Sequence, residues 1–205
     1  MQVQSMHFKP RAAEALGNGT LQSNLQKFNS TGFTALRAKA VTEFGPDLFE
    51  NLRGEGAAIR DRGLANLDAW LERFESEATR RGATVLFAET REEACELLLD
   101  ICRRHGVKKA IKSKSMLSEE AGVNDALEAA GVIPVETDLG EYILQLAEEP
   151  PSHIIAPALH KNKDEVADLF EERHHTPRKT DIPLMTREAR EVLRGHFLSA
   201  DLGLS

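Results

Sequence analysis

Long apolar runs are missing from this 205-residue chain. None approaches the roughly 18–20 residues needed to span a bilayer, so no membrane span is expected. The N-terminal stretch MQVQSMHFKPR also lacks the apolar core of a secretory signal, which makes the cytoplasm the expected compartment. A basic excess is missing too. Lys and Arg total 26 against 33 Asp and Glu, for a net charge of -7, and neutralising a phosphate backbone calls for a basic surface, so nucleic acid is not an expected partner. Cysteine is scarce, with only Cys95 and Cys102. On one helix they would stand about 10 Å apart at roughly 1.5 Å per residue, beyond the Cα separation of about 7 Å that a disulfide tolerates. Reduced, core-packed thiols follow. Two cysteines also fall short of the four thiolates of an ordinary iron–sulfur cluster. No Walker loop, G-x-G-x-x-G or G-x-S-x-G occurs, and the glycine-rich pieces GNGTLQSN and RGEGAA have no strand before them.

What is present divides into two grammars, and the length admits one or two domains. Residues 1–81 read as a helical region. LANLDAWLERFESEA sets Leu64, Leu67, Leu71, Phe74 and Ala78 on one stripe, with Arg73, Glu75 and Glu77 on the wet side and Trp70 at the core edge. TALRAKAVTEF is a weaker helix, stopped by Gly45-Pro46. Residues 1–30 are polar, punctuated by Gly17-Asn18-Gly19, and read as an arm that orders on a partner.

Residues 82–205 alternate short apolar runs with helices. ATVLFAE, KKAIK, VIPVET and SHIIAPA read as strands. Between and after them TREEACELLLDICRRHG, LSEEAGVNDALEAAG, DLGEYILQLAEE and KNKDEVADLFEERHH read as helices. That alternation predicts an α/β fold with a parallel sheet of βαβ units, with Pro134 at an edge or strand end. Thr90 with Glu93 and Asp138 with Glu141 have capping-box spacing, and Ser118 is placed to cap a helix opening on Glu119 and Glu120. These acids read as caps before they read as general bases. The tail carries a helix from Thr186 to Phe197 and ends without a closing element.

Ligands of open parallel sheets collect beyond the carboxyl ends of the strands. The loop after KKAIK brings Lys112, Ser113, Lys114, Ser115 and Ser118 to a helix N-terminus, a combination that suits phosphate or carboxylate. The competing reading is a solvated lysine loop that offsets nearby acids. A second polar group comprises Asp138, Glu141, His153, His160 and Lys161, in which the histidines are either proton-transfer groups beside an anion clamp or simply bonded to backbone carbonyls. His174-His175 reads as an exposed helix end, and a metal site there would need ligands the sequence does not offer. No metal ligands are assigned, and no catalytic residue can be named.

AIKSKSMLSEEAGVNDALEAAG, followed by VETDLGEYILQLAEEPPSHIIAPALHKNKDEVADLF, resembles the lactate-utilization protein B family of LutB-like iron–sulfur proteins. The resemblance runs through its LUD domain, from about residue 80 to 200, with a helical lead-in. It implies a Rossmann-like parallel sheet akin to the sugar-phosphate isomerase and CoA-transferase group. It also implies an accessory electron-transfer role in oxidising L-lactate to pyruvate, alongside other lactate-utilization subunits. Family members continue into a ferredoxin-like region with C-x-x-C-x-x-C-x-x-x-C-P motifs that hold 4Fe-4S clusters. That region is not in this sequence, so the expectation is a LUD portion incomplete at its C-terminus, without a cofactor of its own and prone to associate. Two other readings stay open: an isomerase- or transferase-like enzyme acting on a small anionic substrate through Lys112, Lys114 and a carboxylate, and a pure assembly module.

Overall fold

The computed structural model describes residues 7–152 and 156–205. The chain forms two compact units. One comprises residues 26–87; the other comprises the N-terminal residues to Leu25 together with Ala88–Ser205.

The 26–87 unit is built of helices. The end of α2 (Gly19–Thr31) leads to α3 (Phe33–Phe44), α4 (Pro46–Ala65) and α5 (Leu67–Arg80). Gly45 ends α3 in a positive-φ conformation, and Pro46 opens α4 at its first turn, where a missing N–H costs nothing. The stripe expected from Leu64 to Ala78 is helical, apart from the break at Asn66. It is not covered, however: no residue of α3, α4 or α5 is buried, and Leu64, Leu67, Trp70, Leu71 and Phe74 are all exposed. Trp70 therefore lies at the surface, with Arg73 over its ring.

The larger unit carries α1 (Phe8–Gly17), the first part of α2 and the α/β fold. Three parallel strands run in the order β2-β1-β3: β1 (Lys109–Lys112), β2 (Ile133–Glu136) and β3 (Leu202–Leu204). The helices of this unit are α6 (Arg91–His105), α7 (Met116–Glu120), α8 (Val123–Ala129), α9 (Leu139–Ala147), α10 (Lys163–His174) and α11 (Ile182–Ser199). This is the expected Rossmann-like parallel sheet preceded by helices. Alternation along β1 divides the core. Ala110 packs with Cys102, Val107, Val123, Leu127 and Val132 toward α6 and α8. Ile111 packs against the cluster of Val135, Tyr142, Ile143, Phe170, Met185 and Leu193 toward α9, α10 and α11.

The helix ends explain themselves. Thr90 Oγ1 accepts from the Glu93 N–H, acids fill the first turn of α6 and bases its last, and Gly106 closes it in the left-handed region at φ 63°. Asp138 caps α9, Asp181 caps α11, and Asn162 with Glu165 forms a full capping box on α10.

Several elements differ from the sequence reading. LSEEAGVNDALEAAG forms two helices, because Gly122 adopts φ 73° between them. Ser115, not Ser118, is the N-cap of the first, accepting from the Ser118 N–H. ATVLFAE forms no strand and lies outside the sheet, with Leu86 and Phe87 exposed. The tail supplies the third strand, β3, at one edge of the sheet. Asp201 Oδ2 accepts the N–H groups of Lys108 and Lys109, which sets β3 in register beside β1. The strand expected over SHIIAPA has its centre, 153–155, outside the described residues, and Pro157–His160 form a turn.

Candidate functional site

The site follows from strand register. β1 and β2 are parallel with Lys112 opposite Glu136, each the last residue of its strand. Side chains alternate along a strand, so residues facing each other in register leave the sheet on the same side. Lys112 is 1% exposed and Glu136 5%. The Lys112 ammonium lies 2.9 Å from Glu136 Oε1, donates to Ser118 Oγ at 3.2 Å and stands 4.0 Å from Glu119 Oε1. The Ser118 hydroxyl in turn donates a hydrogen bond to the Ser115 carbonyl. From α8, Asn124 Nδ2 donates to Glu136 Oε1 at 2.8 Å. Gln145 of α9 clamps the strand end, accepting from the Glu136 N–H and donating to the Pro134 carbonyl. The lysine that opens the sequence-predicted loop thus points inward and is held by carboxylates.

Lys114 turns to the start of α9, with its ammonium 3.9 Å from Asp138 Oδ1 and 3.8 Å from Glu141 Oε1. Asp138 spends its Oδ1 on the helix cap. Glu141 is 5% exposed. Burial, then the neighbouring Glu136 and Glu119 charges, push its carboxyl up to about 7 against the pull of Lys112 and Lys114. A carboxyl poised there exchanges a proton at neutral pH, which is the requirement for acid–base work. Beside these residues opens a cavity of about 390 Å³ lined by Glu119, Asn124, Glu136, Glu141 and Gln145 among others.

The remaining sequence-predicted residues gather elsewhere. Ser113 donates its N–H to the Leu204 carbonyl, tying the loop to β3. His160 and Lys161 converge on Glu149. His160 Nε2 lies 2.7 Å from Glu149 Oε2, His160 Nδ1 lies 2.9 Å from Ser152 Oγ, and Lys161 Nζ donates to Glu149 Oε1. Burial works to raise the Glu149 carboxyl, but the bonds from Lys161 and His160 outweigh it and leave it below its ordinary value. This group borders a cavity of about 520 Å³ that also touches Arg11 and Asn18. His153 lies outside the described residues.

Sequence reasoning missed Asn124, Glu136 and the buried cluster around Glu188. His174, expected at an exposed helix end, has its side chain buried, with Nδ1 2.9 Å from Glu188 Oε1 and Nε2 2.9 Å from the Tyr142 hydroxyl. Thr176 and Lys179 also donate to Glu188. The one available signal for Glu136 was a charged residue closing each of two successive strands. Among the described residues, no group of three or more His, Cys, Asp or Glu is arranged to hold a metal ion. Cys95 and Cys102 are free thiols in the core of α6, and burial raises the Cys102 thiol.

A parallel sheet with charged strand ends beside a cavity defines an α/β module. Residues 71–205 match the LUD domain, and the chain belongs to that family. Over its whole length it is 40% identical to lactate utilization protein B of Bacillus velezensis and 41% identical to that of Bacillus licheniformis. The corresponding Bacillus cytotoxicus protein is 38% identical. The chain spans 43% of the length of each of these relatives. No solved structure matches it. No helix among the described residues is long and apolar enough to cross a membrane.

Proposed function

We propose that this chain is the LUD module of an electron-transfer component that serves the oxidation of L-lactate to pyruvate, working with other lactate-utilization subunits. The observation that carries the reading is whole-chain identity of 38–41% to proteins named lactate utilization protein B. The site supports a binding role within such a component, since Lys112, Glu136 and Glu141 sit where open parallel sheets collect ligands. Cys95 and Cys102 are too few for a cluster. In this reading the chain binds or docks, and thiolates from elsewhere carry the electrons. The reading of an enzyme that takes an anionic substrate through Lys112 and Lys114 is weaker, because Glu136 and Ser118 already occupy the Lys112 ammonium.

In-frame deletion of the coding segment tests the proposal. Growth on L-lactate should fail while growth on glucose continues, and a plasmid copy should restore it. Undiminished growth of the deletion strain on L-lactate would sink it.

A further inference from the structure

Three buried acceptor atoms at the strand ends have no hydrogen-bond partner: Glu136 Oε2, Glu141 Oε2 and Asn124 Oδ1. All three residues line the same cavity. Buried polar atoms are nearly always bonded, because an unpaired acceptor forfeits its hydration without return. A cluster of three, all acceptors, is the imprint of a donor-bearing occupant.

The charge around the cavity narrows its chemistry. Seven of the residues lining it are Asp or Glu, and among the described residues no Lys, Arg or His lines it. An anion such as a carboxylate or phosphate would enter against that field. Water could satisfy hydrogen bonds but would bring no compensating charge. A metal ion lacks a suitable donor set among the described residues. The volume of about 390 Å³ lies in the range of small-molecule sites.

We propose that this cavity binds a small organic cation, its ammonium or guanidinium group seated between Glu136 Oε2, Glu141 Oε2 and Asn124 Oδ1. The Lys112 ammonium engages Glu136 through Oε1, so Oε2 has no partner within the protein. Asn124 shows the same division, its amide nitrogen committed to Glu136 and its oxygen left without a partner in a residue that lines the cavity. The site is independent of whether the chain serves lactate oxidation.

Binding should be linked to protons. Glu141 is faced by Glu136 of β2, Glu119 of α7, Lys112 of β1, Lys114 of the following loop and the Asp138 cap of its own helix. Its carboxyl titrates at about 7, and a cation at Oε2 requires the ionised form. With the competent fraction setting apparent affinity, binding should tighten about tenfold from about pH 6 to about pH 8.

The test is titration calorimetry of the 205-residue chain with agmatine and putrescine as probes. Acetate and phosphate serve as anions, and manganese and magnesium chlorides as inorganic cations. Saturable binding of one amine per chain is expected, weakened about tenfold or more by Glu141→Gln, with thermal melts showing that the variant is folded. The pH series on the unmodified chain needs no variant and stands if Glu141→Gln fails to fold. The proposal is overturned if neither amine gives saturable heat, if affinity does not rise with pH, or if a folded Glu141→Gln chain binds equally well. Tighter binding of manganese or of an anion than of both amines overturns it as well.

Discussion

Glu136 and Glu188 are buried to nearly the same degree, 5% and 6% exposed, yet their surroundings differ in one respect. Both oxygens of Glu188 are taken: Oε1 by His174 and Thr176, Oε2 by Lys179. Burial raises that carboxyl, but the bonds from Lys179, Thr176 and His174 outweigh it and hold it at about 2. Glu136 Oε1 accepts from both Lys112 and Asn124 while its Oε2 has no partner, and the Oε2 of neighbouring Glu141 is likewise unpaired. Complete satisfaction rigidifies a packed unit, whereas incomplete satisfaction marks a place built for something else. The first centre ties α9, α10 and α11 together; the second leaves acceptor atoms unpaired at the sheet's end.

The largest effect that could break this contrast lies at Lys112. Removing one partner of a buried pair leaves the other charge stranded, at a cost of about 3–5 kcal/mol. Lys112→Met keeps most of the volume and should lower unfolding stability in urea by about that amount. Adding Glu136→Gln removes the stranded charge and should recover at least half of the loss. Equal losses in the single and double variants would show that the pair is not coupled.

Much of this was legible in the chain. Thr90 and Asp138 announce their helices because a cap needs only neighbours in sequence. The parallel sheet follows from the alternation of elements. Glu136 was not legible, because its role arises from register with Lys112 across an intervening pair of helices. His174 looked exposed because its helix ends there. What buries it is α11, which delivers Glu188 from fourteen residues away. β3 escaped notice because three residues cannot display a period. The stripe from Leu64 to Phe74 carries the opposite lesson. Periodicity identifies an apolar face but not whether anything covers it, and here nothing among the described residues does.

A smaller effect is expected at Glu188. Its depressed carboxyl contributes stability that is fully present above the ordinary value of 4.5 and is lost as pH falls through about 2. Glu188→Gln should cost about 1–3 kcal/mol at neutral pH, the penalty for loosening a hydrogen-bonded group whose lysine can reach water. It should also flatten the acid limb of the stability profile. A variant whose profile still falls as steeply between about pH 4.5 and about pH 2 would place the acid sensitivity elsewhere.

The smallest effect, and the sharpest contrast, belongs to Glu141. Its folded carboxyl titrates at about 7 against an ordinary 4.5, so between those values the folded chain holds a proton that the unfolded chain has released. Stability should therefore fall as pH rises through this window, the reverse of the limb that Glu188 governs. Glutamine resembles the protonated carboxyl in shape and carries no charge. At about pH 5, Glu141→Gln should lie within about 1 kcal/mol of the parent chain, since the half-exposed Lys114 contact is long and weak. By about pH 8 the parent must bury a charge that the variant lacks, and the variant should be the more stable of the two. Urea unfolding at both pH values checks the crossing. If the two chains keep the same order of stability throughout, Glu141 ionises without strain and the strand-end centre is satisfied as fully as the one around Glu188.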